Sequence, residues 1–258
     1  MAMTGTKLPG VDMKPICEYK NNLRAFLHRD FADGVFIYIL LATAFMLIIN
    51  PCNLYYQYDM DEIWNYQYAR RILYGFVPYK DFMMLPLPLS AQVNGWLLSI
   101  LSDKLIVMRW IASVIAVLNG IIAFQILRRS GKGYLIALLY TVLFLCPFLL
   151  YPKNNYSWYA VLFLTMALLM EIYKVTHTRG THFICELLIG VSLGLVILSK
   201  QNIGLAGLIG SIVFLTYYSR NLGIQYLLQS LSFKVLGCLS VVGIEIFYLG
   251  QKMGFLIF

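Results

Sequence analysis

The chain has 258 residues, of which 60% are hydrophobic and 12% charged, with a mean hydropathy of +0.73 and a formal net charge of +8. A soluble domain carries about 25% charged residues. This composition therefore excludes an ordinary water-soluble fold and points to an integral membrane protein. In that setting the positive charge reads as a topology signal and not as a nucleic-acid surface.

Residues 1–32 are polar and basic, with Lys7, Lys14, Lys20, Arg24 and Arg29. No small-residue cleavage site follows the next apolar run, so the segment reads as a cytoplasmic tail before an uncleaved span. A span needs about 20 mostly apolar residues. By that measure the candidates lie at about 33–50, 105–127, 133–151, 157–173, 183–199, 202–218 and 234–250.

Between the first two candidates, the loop 51–104 gathers Asp59, Asp61, Glu62, Arg70, Arg71, Lys80 and Asp81 among aromatics and prolines. One charged residue at the centre of a membrane helix costs roughly 3 kcal/mol. The loop is therefore expected at the membrane surface. Its later part, about 87–101, is apolar but short, follows Pro86 and Pro88, and contains Gln92 and Asn94. That length predicts an interfacial or re-entrant helix. Lys and Arg accumulate in cytoplasmic loops. Arg128, Arg129 and Lys132, then Lys174 and Arg179, then Arg220, mark three such loops. They fall on the side of the basic tail only if 87–101 does not cross.

The expected fold is thus an all-α integral membrane protein of about seven transmembrane helices with a helical extracytoplasmic first loop. Its parts are the tail 1–32, a transmembrane module 33–250 that includes the loop 51–104, and an outer tail 251–258. Gly190 and Gly194, then Gly204, Gly207 and Gly210, are read as close helix packing. The five cysteines show no C-x-x-C or zinc spacing. His28, His177 and His182 lie in basic segments and form no zincin motif.

The acidic stretch Asp59-Met60-Asp61-Glu62 has two readings. Asp59 caps the following helix, with Glu62 three residues on as in a capping box. Alternatively, a carboxylate here is a general base toward a hydroxyl or amine. Asp59 and Asp61, one residue apart, could also hold a divalent cation such as Mg or Mn. The readings are compatible, since one carboxylate can cap while another faces a cleft.

Asp61-Glu62, Ala69, Gly75, Pro78-Tyr79, Asp81-Phe82 and Pro86/Pro88-Leu89 together resemble the first extracytoplasmic loop of GT-C type membrane glycosyltransferases. The nearest group is the bacterial protein-mannosyltransferase-like and lipid A aminoarabinose-transferase-like enzymes. Arg109 in DKLIVMRWIAS, the turn Asn154-Asn155-Tyr156-Ser157 and the stretch Leu198-Ser199-Lys200-Gln201 extend the likeness over about residues 30–250.

The resemblance implies inverting transfer of a sugar from a polyprenyl-phosphate donor to an extracytoplasmic acceptor (glycolipid, polysaccharide or protein) at a bacterial inner membrane. It makes Asp61 the base, with Glu62 and Asp59 assisting. It places Arg109 and Lys200 on the lipid phosphate, and Tyr79, Lys80 and Asp81 among the substrate contacts. The ordinary role of Arg109 and Lys200 is snorkelling to headgroups. The family usually has more spans and a soluble outer domain, so this chain reads as its N-terminal catalytic module. The competing expectations are a truncated non-catalytic membrane subunit and a lipid or sugar transporter. Glu245, in the last expected span, is the most transporter-like residue.

Overall fold

A computed structural model describes residues 60–150, 153–176 and 182–254. The basic tail, the first expected span at 33–50, Asp59 and residues 255–258 lie outside the described residues. Within them the fold is all-helical, with eight α-helices and no strand. We number the helices α1 (Met60–Leu73), α2 (Leu89–Ile100), α3 (Leu105–Arg129) and α4 (Tyr134–Leu150). The others are α5 (Tyr156–Thr176), α6 (His182–Ser199), α7 (Gln201–Tyr218) and α8 (Ile224–Met253).

The segment read as interfacial is α2. Its 12 residues span about 18 Å, well short of an apolar layer of about 30 Å. It forms a hairpin with α1. Ala69, Leu98, Met108, Ile111, Ile115, Tyr159 and Leu162 join α1 and α2 to α3 and α5 in one buried cluster.

Among the described residues, three helices are long and apolar enough to cross a membrane: α3, Tyr156–Val175 within α5, and α8. With 17, 18 and 18 residues, α4, α6 and α7 are shorter than the usual span of about 20. Seven spans are thus not established by helix length. The last helix also begins ten residues before the expected 234 and has 30 residues. Gln225, Gln229, Ser230 and Ser232 obscured its start in the sequence. Lys234 is therefore inside a helix and not at its edge.

The axis of the packing is α6, which runs parallel to α8 and antiparallel to its chain neighbours α5 and α7. A Cβ on Gly190 would land on the Lys234 carbonyl, and one on Gly237 would land on the Leu187 carbonyl. Only glycine allows the two backbones this close. Gly210, read as packing, meets open space instead.

That close approach closes a buried network of four charges. Lys174 of α5 lies 2.5 Å from Glu171 and 2.7 Å from Glu186 of α6. Lys234 of α8 lies 2.7 Å from Glu171 and 3.2 Å from Glu186. Ser211 of α7 donates to Glu171 at 2.7 Å and lies 2.6 Å from the Lys234 ammonium. Both lysine side chains and Glu186 are fully buried. Lys174, counted in the sequence as a loop cation, is instead interior, beneath the rings of Phe214 and Tyr218. Two acids and two lysines cancel, so the cluster carries no net charge.

Removing one member leaves an unbalanced buried charge, which costs about 3–5 kcal/mol. Lys234→Met should lower the thermal unfolding midpoint of the detergent-solubilised chain sharply. Lys234→Met with Glu186→Gln restores neutrality and should recover much of the loss. Equal midpoints for the single and double variants would show that the network does not act through charge balance.

Candidate functional site

The polar residues singled out in the acidic loop gather at one end of the bundle, opposite the four-charge network. Helix α1 brings Asp61 and Glu62 there. The N-terminus of α5 brings Asn154, Asn155, Tyr156 and Ser157. The α6–α7 junction brings Lys200. These segments are far apart in sequence, and hydrogen bonds join them.

Glu62 is fully buried, and both its oxygens are engaged by Arg109 of α3. The Arg109 Nε donates to Oε1 and Nη2 to Oε2, each at 2.8 Å. This is the planar two-point geometry for which guanidinium and carboxylate are matched. Arg109 is 4% exposed, so it neither snorkels to headgroups nor presents an open cation. Glu62, read as a capping-box partner, works as a tertiary anchor.

Next to that anchor lies an asparagine hub absent from the sequence reading. Asn154 and Asn94 of α2 exchange side-chain hydrogen bonds at 3.1 and 3.2 Å. Asn154 also donates to the Met108 carbonyl at 3.2 Å and accepts on its own carbonyl from Asn65 of α1 at 3.0 Å. The Tyr159 hydroxyl donates to Asn94 at 2.5 Å. All four of these side chains are buried, and each amide finds partners, so the desolvation cost is met. The signal available in the sequence was Asn65 and Asn94 among apolar and aromatic neighbours, together with the Asn154-Asn155 pair.

The hub sets the turn that follows it. Asn155 Oδ1 accepts from the Ser157 backbone N–H at 2.9 Å, which caps α5. Its Nδ2 donates toward Asp61 Oδ2 at 3.5 Å. Lys200 donates to the Ser157 hydroxyl at 2.8 Å and lies 5.1 Å from the Tyr156 ring centroid. Asp61 and Lys200 thus stand on opposite sides of one turn. Both are partly exposed, unlike Glu62 and Arg109. The turn that extends the family likeness is what connects them.

The other expected contacts lie on the loop between α1 and α2. Asp81 Oδ2 accepts from the Val77 N–H at 2.7 Å and so closes its own turn. Lys80 is exposed and reaches the Lys252 carbonyl of α8 at 3.5 Å. Tyr79 has φ 65°, a left-handed conformation uncommon for a tyrosine. Its hydroxyl donates to the Pro86 carbonyl at 2.8 Å. The cation site imagined at Asp59 and Asp61 needs Asp59, which lies outside the described residues. Among the described residues, no group of three His, Cys, Asp or Glu side chains comes together. A cavity of about 450 Å³ lies at the opposite end, lined by Tyr217, Tyr218, Arg220 and Leu222. That lining holds a cation but no carboxylate, so it lacks a base.

The C-terminal half of α1 is clamped by Asp103, which the sequence reading passed over. Its carboxylate accepts from Arg70 at 3.0 Å, from Tyr66 at 3.1 Å and from Tyr74 at 2.7 Å. Partial burial pushes its pKa up, but the donors Tyr74, Tyr66 and Arg70 outweigh burial and hold it below its usual value. No protein-family profile, curated protein or solved structure matches this chain.

A carboxylate with a depressed pKa contributes stability that is fully present above its unfolded-state pKa of about 3.9. That contribution is lost as pH falls through the lower folded value. Amide exchange in the last turns of α1, corrected for intrinsic rates, should therefore accelerate in strong acid. Asp103→Asn should give the same acceleration at pH 7. Unchanged protection in Asp103→Asn would rule out the clamp. For the anchor, Arg109→Met leaves Glu62 charged and buried and should cost about 3–5 kcal/mol. The matched Arg109→Met with Glu62→Leu should unfold at a higher temperature than the single variant. If it does not, Arg109 stabilises the fold through something other than the pair.

Proposed function

We propose that this chain is a membrane glycosyltransferase module that uses a polyprenyl-phosphate sugar, with its chemistry at the Asp61 end of the bundle. One observation carries the reading. A partly exposed carboxylate and a partly exposed ammonium, 139 positions apart in the chain, meet across the Asn154–Ser157 turn. A base for an acceptor and a cation for a phosphate leaving group are the two charges that this reaction requires.

In this reading Asp61 removes the proton from the acceptor hydroxyl as its oxygen attacks the anomeric carbon. The bond from that carbon to the phosphate oxygen breaks, and the lipid phosphate leaves as an anion. Lys200 stabilises the charge that develops there. Attack from the face opposite the leaving group inverts the anomeric carbon. Asn155 orients Asp61, and Ser157 and Tyr156 orient Lys200. Arg109, expected on the lipid phosphate, instead holds Glu62 and so fixes the helix that carries Asp61. No step is routed through a metal.

The same reading completes the topology. Counting α4, α6, α7 and the segment 33–50 with the three long helices, it has seven spans. Basic Arg128, Arg129, Lys132 and Arg220 put the far end in the cytoplasm. The Asp61 end then faces outward, with the N-terminus inside, at the bacterial inner membrane.

The test is sugar transfer in membrane vesicles that contain native acceptors, supplied with radiolabelled polyprenyl-phosphate hexose. Asp61→Asn keeps the size of the side chain but loses its basicity. Transfer should fall by about 10²- to 10⁴-fold while the unfolding midpoint holds. Lys200→Met should raise the donor concentration needed for half-maximal rate. Undiminished transfer in Asp61→Asn would remove it as the base.

A further inference from the structure

Glu245 lies on α8, about two turns before the helix ends at Met253. Its Oε1 accepts a 2.7 Å hydrogen bond from Gln92 of α2. Among the described residues, Oε2 accepts none. An acid in an apolar span is costly, and one donor leaves half its capacity unmet. A helix that needed only packing at this position would carry leucine.

Gln92, the partner of Glu245, follows Ala91, which packs with Phe82, Tyr68 and Tyr79, so aromatic side chains lie close to the Glu245 carboxylate. Tyr79, in its left-handed turn, is near enough for the Glu245 charge to add to burial, and its phenol is pushed up to about 12. Tyr79 and Tyr68 pack on the cluster of Phe82, Met84 and Ala91, and Tyr68 stacks on Phe82 at 6.0 Å. Lys80, bonded to the Lys252 carbonyl, ties the Tyr79 loop to the same end of α8.

A carboxylate with an oxygen to spare, beside aromatic faces, suits one ligand chemistry well. Sugar hydroxyls donate to the carboxylate, and the apolar face of the sugar ring lies on the aromatic rings. We propose that Glu245, with Tyr68 and Tyr79, forms the subsite that holds the sugar of the donor, apart from the Lys200 contact to its phosphate. The subsite rests on the glycosyl-transfer reading of the Asp61 end. Gln92 then sets the carboxylate rotamer, and Pro86 fixes the Tyr79 hydroxyl.

The test is lipid binding to the full chain in nanodiscs, read by native mass spectrometry. The probes are undecaprenyl phosphate alone and its glucose, mannose and N-acetylglucosamine derivatives. The wild type should bind at least one sugar lipid more tightly than the bare phosphate. Glu245→Gln keeps a partner for Gln92 but loses the charge. It should weaken that sugar lipid by about tenfold and leave bare phosphate unchanged. Lys200→Met should weaken both. If Glu245→Gln does not fold, Glu245→Asp keeps the charge with a shorter reach and should lose the same preference. Equal binding of sugar-bearing and bare lipid by the wild type overturns the subsite alone. So does a Glu245 variant that weakens both lipids equally or neither. Failure of the wild type to bind any of these lipids overturns the donor reading, and the subsite with it.

Discussion

The fork between Arg109 and Glu62 ties α1 to α3, a helix long and apolar enough to cross a membrane, and the geometry of the Asp61 end depends on it. Both groups are buried, so neither can trade its partner for water. A guanidinium and a carboxylate joined at two points also resist rotation. With Glu62 fixed, Asp61 beside it has a defined direction, and Asn65 one turn on reaches the Asn154 carbonyl. From Asn154 the order passes to Asn155, Ser157 and Lys200 through successive hydrogen bonds. A helix of 14 residues would be marginal alone in water. Here it is held at its first turn by Arg109 and at its last by Asp103.

The opposite end obeys the same constraint to a different purpose. Glu171, Lys174, Glu186 and Lys234 are as buried as the fork, but they cancel one another inside α5, α6 and α8. A closed, neutral network offers no charge to a ligand. What it does is select register, because a slip of one residue along α8 would carry Lys234 away from both acids. Gly190 and Gly237 make this feasible by letting α6 and α8 approach within backbone contact. The two ends therefore divide their work. One spends its buried charges wholly on packing. The other spends a single pair on packing and keeps Asp61 and Lys200 partly exposed.

Helical class and the short α2 were legible because they are local properties. Apolar run length and the cost of an unpaired charge in lipid can be read from adjacent residues. The Asn154–Ser157 turn and Lys200 entered only through the family likeness, and the structure brings both to the end that holds Asp61. What could not be read was pairing. Arg109 near a span end looks like a phosphate or headgroup ligand until α1 folds back and places Glu62 against it. Lys174 and Lys234 look like boundary cations because lysine normally marks a helix end. Both are interior here, since α6 and α8 are close enough to surround them with carboxylates.

Sequence alone determined that this chain is helical, with runs apolar and long enough to cross a membrane and one acid-bearing segment among them. Hydrophobicity and desolvation act residue by residue and need no knowledge of neighbours. Tertiary structure alone decided which carboxylate is buried as an anchor and which stays partly exposed, because Asp61 and Glu62 are chemically alike and adjacent. Their fates diverge through helix geometry. Successive residues on α1 point about 100° apart, so Glu62 faces α3 and its arginine while Asp61 faces the turn before α5.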